Sequence, residues 1–147
     1  MLVLATLCFA TFVLHLLAAR SHDRTAASNW QAENVPAAFG GRLDIRTMDD
    51  LRVGSRKIML CGVSFAKPRA LEQFIRMEAR RAFQSTQLDC VQVGGGTPCD
   101  NRAAASFGDA LVAQCFTSDK LDIAREFSAR GFLCDLPALS GGVYHAC

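Results

Sequence analysis

Polar and apolar positions alternate from Arg42 to Arg46, with Leu43 and Ile45 on one side. The alternation resumes at Leu51 to Val53, where Arg52 faces away, and Gly54-Ser55 then leads into the run Ile58 to Val63. Two short strands about a glycine-containing turn predict a hairpin. The second strand is apolar on both faces over much of its length, which suits a central position. At Pro68 the period lengthens to that of a helix, predicted to run to about Ser85, with Leu71, Phe74, Ile75, Ala79, Ala82 and Phe83 forming one apolar stripe. Proline is tolerated in that first turn because its missing amide would have no partner there. Leu88 to Val93 has strand character, with Leu88, Cys90 and Gln92 on one face, and Gly94 to Phe107 reads as a loop. Ala110 to Phe116 is a further strand. Ser118 is the candidate cap of a helix from Asp119 to about Arg130, with Leu121, Ala124, Phe127 and Ala129 inward and Gly131 ending it. Phe132 to Leu136 returns as a short strand or an extended tail.

This order is met by a small curled antiparallel sheet with helices packed outside, either an OB-like barrel or another small α+β arrangement. Ahead of it, Met1 to Ala19 carries no Asp, Glu, Lys or Arg and is interrupted only by His15 and a few small polar residues. The run has the length of a signal peptide and approaches that of a spanning helix, although no basic residue precedes it. Residues 1–21 are therefore expected to be a cleaved leader, with a retained membrane anchor or a buried helix as alternatives. His22 to Gly41 reads as a linker of small and polar residues. Residues 42–147 are left as one domain with a modest core. The net charge of +2 is too small to argue for nucleic acid by itself.

Of seven cysteines, six follow the leader: Cys61, Cys90, Cys99, Cys115, Cys134 and Cys147. An even set behind an apolar leader predicts disulfides and a secreted or periplasmic location. Six cysteines allow fifteen pairings, and the spacing selects none of them. Cys61, in the predicted central strand, could equally be a buried free thiol. No pair has the Cys-x-x-Cys spacing, and His15, His22 and His145 are too scattered for a zinc site or a catalytic triad.

Several phrases occur in a telling order. Asp49-Asp50-Leu51-Arg52-Val53-Gly54 precedes Arg56-Lys57-Ile58-Met59-Leu60-Cys61-Gly62-Val63. Val93-Gly94-Gly95-Gly96-Thr97-Pro98-Cys99-Asp100-Asn101-Arg102 follows the helix, and then Leu111-Val112-Ala113-Gln114-Cys115-Phe116 and Asp122-Ile123-Ala124. Cys134-Asp135-Leu136-Pro137, Ser140-Gly141-Gly142 and Tyr144 close the series. Over residues 43–144 the chain resembles the staphylococcal-nuclease-like (thermonuclease) family, in its secreted, cysteine-containing bacterial branch. The resemblance implies a five-stranded OB-fold-like barrel with two or three helices. It also implies calcium-dependent cleavage of DNA and RNA in active members.

The same resemblance assigns positions. The first calcium-binding carboxylate falls on Asp49, followed by Asp50, and the second on Ser64. The two phosphate-contacting arginines fall on Met59 and Ala110, with only Asp109 offered by a one-residue shift, and the general base falls at or beside Lys67. Phosphodiester hydrolysis needs charge compensation on the phosphoryl oxygens, an activated water and usually a metal. Met59 and Ala110 donate nothing to a phosphate, Ser64 is a weak calcium ligand, and a cationic Lys67 is no base. Asp49 and Asp50 alternate in direction along a strand and need not converge on one ion.

The expectation is a nuclease-like domain without hydrolysis, acting as a binding or structural module in the cell envelope. No cofactor is expected. The alternative is an active calcium-dependent endonuclease with a relocated centre at Asp49, Asp50 and Arg102. Arg69, Arg76 and Arg80, near Lys67 and Arg81, are candidates for a phosphate-facing strip, although an ordinary solvated helix face has the same composition. Phe65 and Tyr144 are candidates for stacking on bases, with packing the simpler role for both. Gly94-Gly95-Gly96 lacks the lysine and hydroxyl residue of a phosphate-binding loop and reads as a flexible loop. The partners expected are nucleic acid or an envelope protein, with the N-terminal segment meeting membrane, and the chain is expected to be a monomer.

Overall fold

The computed structural model describes residues 37–147. The leader, His15, His22 and the linker up to Pro36 lie outside the described residues. The elements in chain order are β1 (Ala38–Thr47), β2 (Asp50–Val53), β3 (Arg56–Leu60), β4 (Val63–Ser64), α1 (Glu72–Phe83), β5 (Gln87–Gln92), β6 (Ser106–Phe107), β7 (Ala110–Thr117), α2 (Ile123–Ala129), β8 (Cys134–Asp135) and α3 (Pro137–Ser140). A single 3₁₀ turn, Arg69–Leu71, leads into α1.

The strands close on themselves. β1, β2 and β3 form an antiparallel meander, β1 also pairs with β5, and β5 pairs with β7. A parallel β3–β7 ladder, Ile58 to Leu111 through Leu60 to Ala113, seals the ring. The result is a closed five-stranded OB-fold-like barrel with α1, α2 and α3 outside it, an α+β domain. β6 extends the edge of β7, and β4 pairs only with β8.

The predicted hairpin is present, with Leu43 opposite Val53 and Ile45 opposite Leu51, all four buried. β1 begins earlier than local pattern suggests. Ala38 to Arg42 pair with Val91 to Gln87, so Ala38 to Gly41 are strand rather than linker. That pairing is long-range and leaves no local period. Gly41 tolerates no side chain, because a Cβ there would lie 2.8 Å from the Gly54 amide nitrogen.

The two helices expected from the sequence, α1 and α2, depart from their predicted faces. α1 buries Ile75, Ala79 and Phe83, while Leu71 and Phe74 stand out in solvent. Each helical residue turns about 100°, so Phe74 is rotated one step away from Ile75, and Leu71 belongs to the tighter 3₁₀ turn. α2 starts at Ile123, capped by Asp122 rather than Ser118. Lys120 takes a positive φ of 64° and residues 118–121 form a turn, its Leu121 amide bonded to Thr117 Oγ1. Leu121 is exposed for the same reason. The core is completed by Phe83, Phe127 and Phe132, whose ring centroids lie 5.2 to 6.4 Å apart at tilted or edge-on angles.

All six cysteines after the leader are paired: Cys61 with Cys99, Cys90 with Cys115, and Cys134 with Cys147. Cys61 is therefore not a free thiol. Cys90 and Cys115 sit directly opposite each other on β5 and β7. Cys61–Cys99 fastens the glycine-rich loop to the end of β3, and Cys134–Cys147 holds the tail. Three such bonds belong to a domain that matures in an oxidising environment.

Candidate functional site

A cavity of about 350 Å³ opens on the side of the barrel where β2, β3, β4 and β7 meet. Its volume lies in the range of small-molecule sites, about 300–1,000 Å³. Asp49, Met59, Ser64 and Ala110 all line it. Four positions separated by up to 61 residues thus share one concavity because β3 and β7 are neighbours in the ring and β4 continues from β3. Lys67 is not among the lining residues. Its ammonium lies beside Gly131, 3.8 Å from where a Cβ on that glycine would be.

The lining is mostly apolar. Met48, Leu51, Ile58, Leu60, Val63 and Leu133 are buried, and Phe65 and Phe107 flank the opening. The charged groups present are already matched. Arg69 Nη1 donates to Asp49 Oδ2 at 2.7 Å and to Glu72 Oε2 at 3.0 Å. Across the cavity, Lys57 Nζ donates to Asp109 Oδ1 at 2.8 Å. The Lys57 ammonium beside Asp109 holds that carboxyl below the usual carboxylate range.

Calcium would require about six to eight oxygen ligands, several of them carboxylates. Of the two carboxylates that line the cavity, Asp49 is paired with Arg69 and Asp109 with Lys57. Asp50 turns to Arg52, accepting from its Nε at 3.1 Å. Among the described residues no three His, Cys, Asp or Glu side chains gather as a metal-binding group. This donor set does not fit a calcium ion. The alternative trio is also divided, since Asp49 lines this cavity and Arg102 lines a different one.

The candidate arginines lie in the 3₁₀ turn (Arg69) and in α1 (Arg76 and Arg80), and two of them are already engaged. Arg76 Nη1 donates to the Arg46 carbonyl at 3.0 Å, tying α1 to β1, and Arg69 is held by two carboxylates, while Arg80 is exposed. Tyr144 is buried at 8% exposure and donates to Asp122 Oδ2 at 3.0 Å. Its ring has no open face for a base. Burial, and then the neighbouring Asp122 carboxylate, push its phenol well above the ordinary value. Phe65 is half-buried at the cavity rim with the Arg69 guanidinium 5.6 Å from its ring centroid.

The triglycine loop is held by a carboxylate. Asp100 accepts from the Gly94 and Gly96 amides at 2.6 and 2.8 Å and from Thr97 Oγ1 at 2.6 Å. These bonds, led by that of Thr97, lower its pKa.

Lys57, Phe107 and Leu133 also line the site, although little in the sequence around them marks them as site residues. Phe107 carried a weak signal, an aromatic residue just before a Gly-Asp turn, and it is 71% exposed. The Lys57–Asp109 pair spans 52 positions and carries no local signal.

No family model, curated protein or solved structure matches the chain.

Proposed function

We propose that this is a nuclease-like OB domain without phosphodiester hydrolysis, working as a binding module in an oxidising compartment of the cell envelope. The observation that carries the reading is the character of the cavity. At the positions where the resemblance would put two guanidinium groups, a second calcium carboxylate and a base stand Met59, Ala110, Ser64 and Lys67. A phosphate entering an apolar wall would lose its hydration without charged donors to replace it. Loss of even one oxyanion donor can lower a rate by about 10² to 10³, and here the residues for the donors, the second metal ligand and the base are all replaced. The three disulfides and the apolar leader support a secreted or periplasmic setting.

The test is an assay of the purified, oxidised protein on single-stranded DNA with calcium, joined to a calcium titration with and without a short thymidine bisphosphate. The expected result is no cleavage above blank and no saturable calcium binding in the millimolar range. Cleavage that is abolished by chelator and by Asp49→Ala would overturn the proposal.

A further inference from the structure

The cavity beside Met59 has a neighbour of about 220 Å³, lined in part by Gly62, Arg102, Val112, Leu136 and Leu139. Met59, Leu60, Val63 and Phe107 line both. Leu60 at the end of β3 and Val63 in β4 are buried. Met59 is half-buried and Phe107 is largely in solvent. An unbranched thioether changes rotamer at little cost, so Met59 is the adaptable member of the wall that the cavities share. The Cys61–Cys99 disulfide belongs to the apolar cluster against which Met59, Ala103 and Leu139 pack, and it anchors the loop forming the outer wall.

Charge is distributed unevenly along this trough. Lys57 at the larger cavity is matched by Asp109, and Arg69 by Asp49 and Glu72. At the smaller cavity, the Arg102 guanidinium lies over Gly141, where any Cβ would collide with its Nη1. Among the described residues Arg102 forms no ion pair, so one exposed, unmatched cation borders the smaller of two largely apolar cavities.

We propose that the two cavities together take a single-chain amphiphile with one anionic head, a free unbranched acyl carboxylate of medium chain length. The carboxylate pairs with Arg102, and the chain passes Met59 into the larger cavity. Charge complementarity selects this occupant. A nucleic-acid strand would present repeated phosphates to a site with one free cation, while a neutral apolar ligand would leave that cation unused. The inference rests on the reading that the cavity is not a hydrolytic centre.

The experiment uses the oxidised full-length chain, methyl-labelled at methionine, titrated with carboxylates from hexanoate to dodecanoate below their micelle concentrations. The Met48 and Met59 methyl resonances should move together, while that of Met77, exposed on α1, stays in place. Affinity should rise about fourfold per added methylene until the space is filled. Arg102→Gln should weaken dodecanoate binding about threefold to tenfold and leave dodecanol unaffected, with Arg102→Lys restoring much of the loss. Unchanged thermal midpoints would show that these variants remain folded. Affinity independent of chain length, equal binding of dodecyltrimethylammonium, or an ineffective Arg102→Gln would overturn the proposal. So would a response only to phosphatidylglycerol vesicles, or Met59 shifts produced only by a thymidine oligonucleotide. Failure to bind dodecanoate without DNA cleavage removes this inference alone, whereas calcium-dependent cleavage removes the reading beneath it.

Discussion

Asp122 joins three parts of the domain through one carboxylate. Its Oδ1 caps α2 by accepting from the Ala124 amide at 2.9 Å, and its Oδ2 accepts from Gln114 on β7 at 3.1 Å and from Tyr144 in the tail. Replacing it with alanine removes the cap and leaves a buried phenol and a half-buried amide without their acceptor. The cap is worth about 0.5–2 kcal/mol, and a buried unsatisfied group costs about 1–3 kcal/mol. Asp122→Ala should therefore lower stability by about 2–3 kcal/mol and Tyr144→Phe by about 1 kcal/mol, as read from urea midpoints at constant slope. An equal effect of the two variants would contradict the shared role. Gly62 makes a comparable demand on backbone space. Its φ is +76° and a Cβ there would lie 2.6 Å from that of Ser140, so only glycine lets the β3–β4 corner meet α3 and Tyr144.

At the scale of elements, the three disulfides act on different parts of the architecture. Cys90–Cys115 reinforces two strands that are already hydrogen-bonded, whereas Cys61–Cys99 holds a loop that has few ladder bonds of its own. The bridged positions are 25 and 38 residues apart, for which chain entropy predicts about 3–4 kcal/mol each. Loss of Cys61–Cys99, by replacing both residues with alanine, should cost that amount. It should also raise amide exchange selectively across residues 97–107, the wall of the smaller cavity. Loss of Cys90–Cys115 should instead lower protection throughout the barrel. Hydrogen exchange followed by mass spectrometry separates the outcomes, and identical exchange maps for the two variants would refute the division. The 3₁₀ turn before α1 has its own consequence: it points Leu71 into solvent and puts Arg69 within reach of Asp49.

For the whole molecule, the titrating groups define a pH window. Asp44, held down first by the Gln84 amide and then by Arg46, and Asp100 and Asp109 all have lowered pKa values in the folded state. Their contributions are fully present above the ordinary carboxylate range near 4 and are lost as pH falls through the folded values. Tyr144 works in the opposite direction. Its folded pKa is raised, so its contribution is intact below about 10, the ordinary phenol value, and declines as pH rises beyond it. Stability should thus be flat from about pH 5 to 9 and fall on either side. The chain has one tyrosine, so its ionisation can be followed without ambiguity by absorbance. That signal should appear together with loss of helical circular dichroism. A phenol that ionises near pH 10 in a chain still folded would show that the hydroxyl is not held by Asp122.

Local pattern determined the strands Leu43–Ile45, Leu51–Val53 and Leu88–Val93, the helix after Pro68 and the stop at Gly131. Each depends on a period or a backbone preference set within a few residues. The even set of six cysteines after the leader likewise identified a disulfide-bearing domain, and the residue types at Met59, Ala110, Ser64 and Lys67 set their chemical limits before any geometry. Other features required the closed barrel. The early start of β1, the pairing of Cys61 with Cys99, the burial of Tyr144, the Lys57–Asp109 bridge and the double cavity all join residues far apart in the chain. The physical reason is that a side chain's chemistry is carried by its own residue. Its partner, its burial and the space beside it exist only after strands distant in sequence have been brought within about 5 Å of one another.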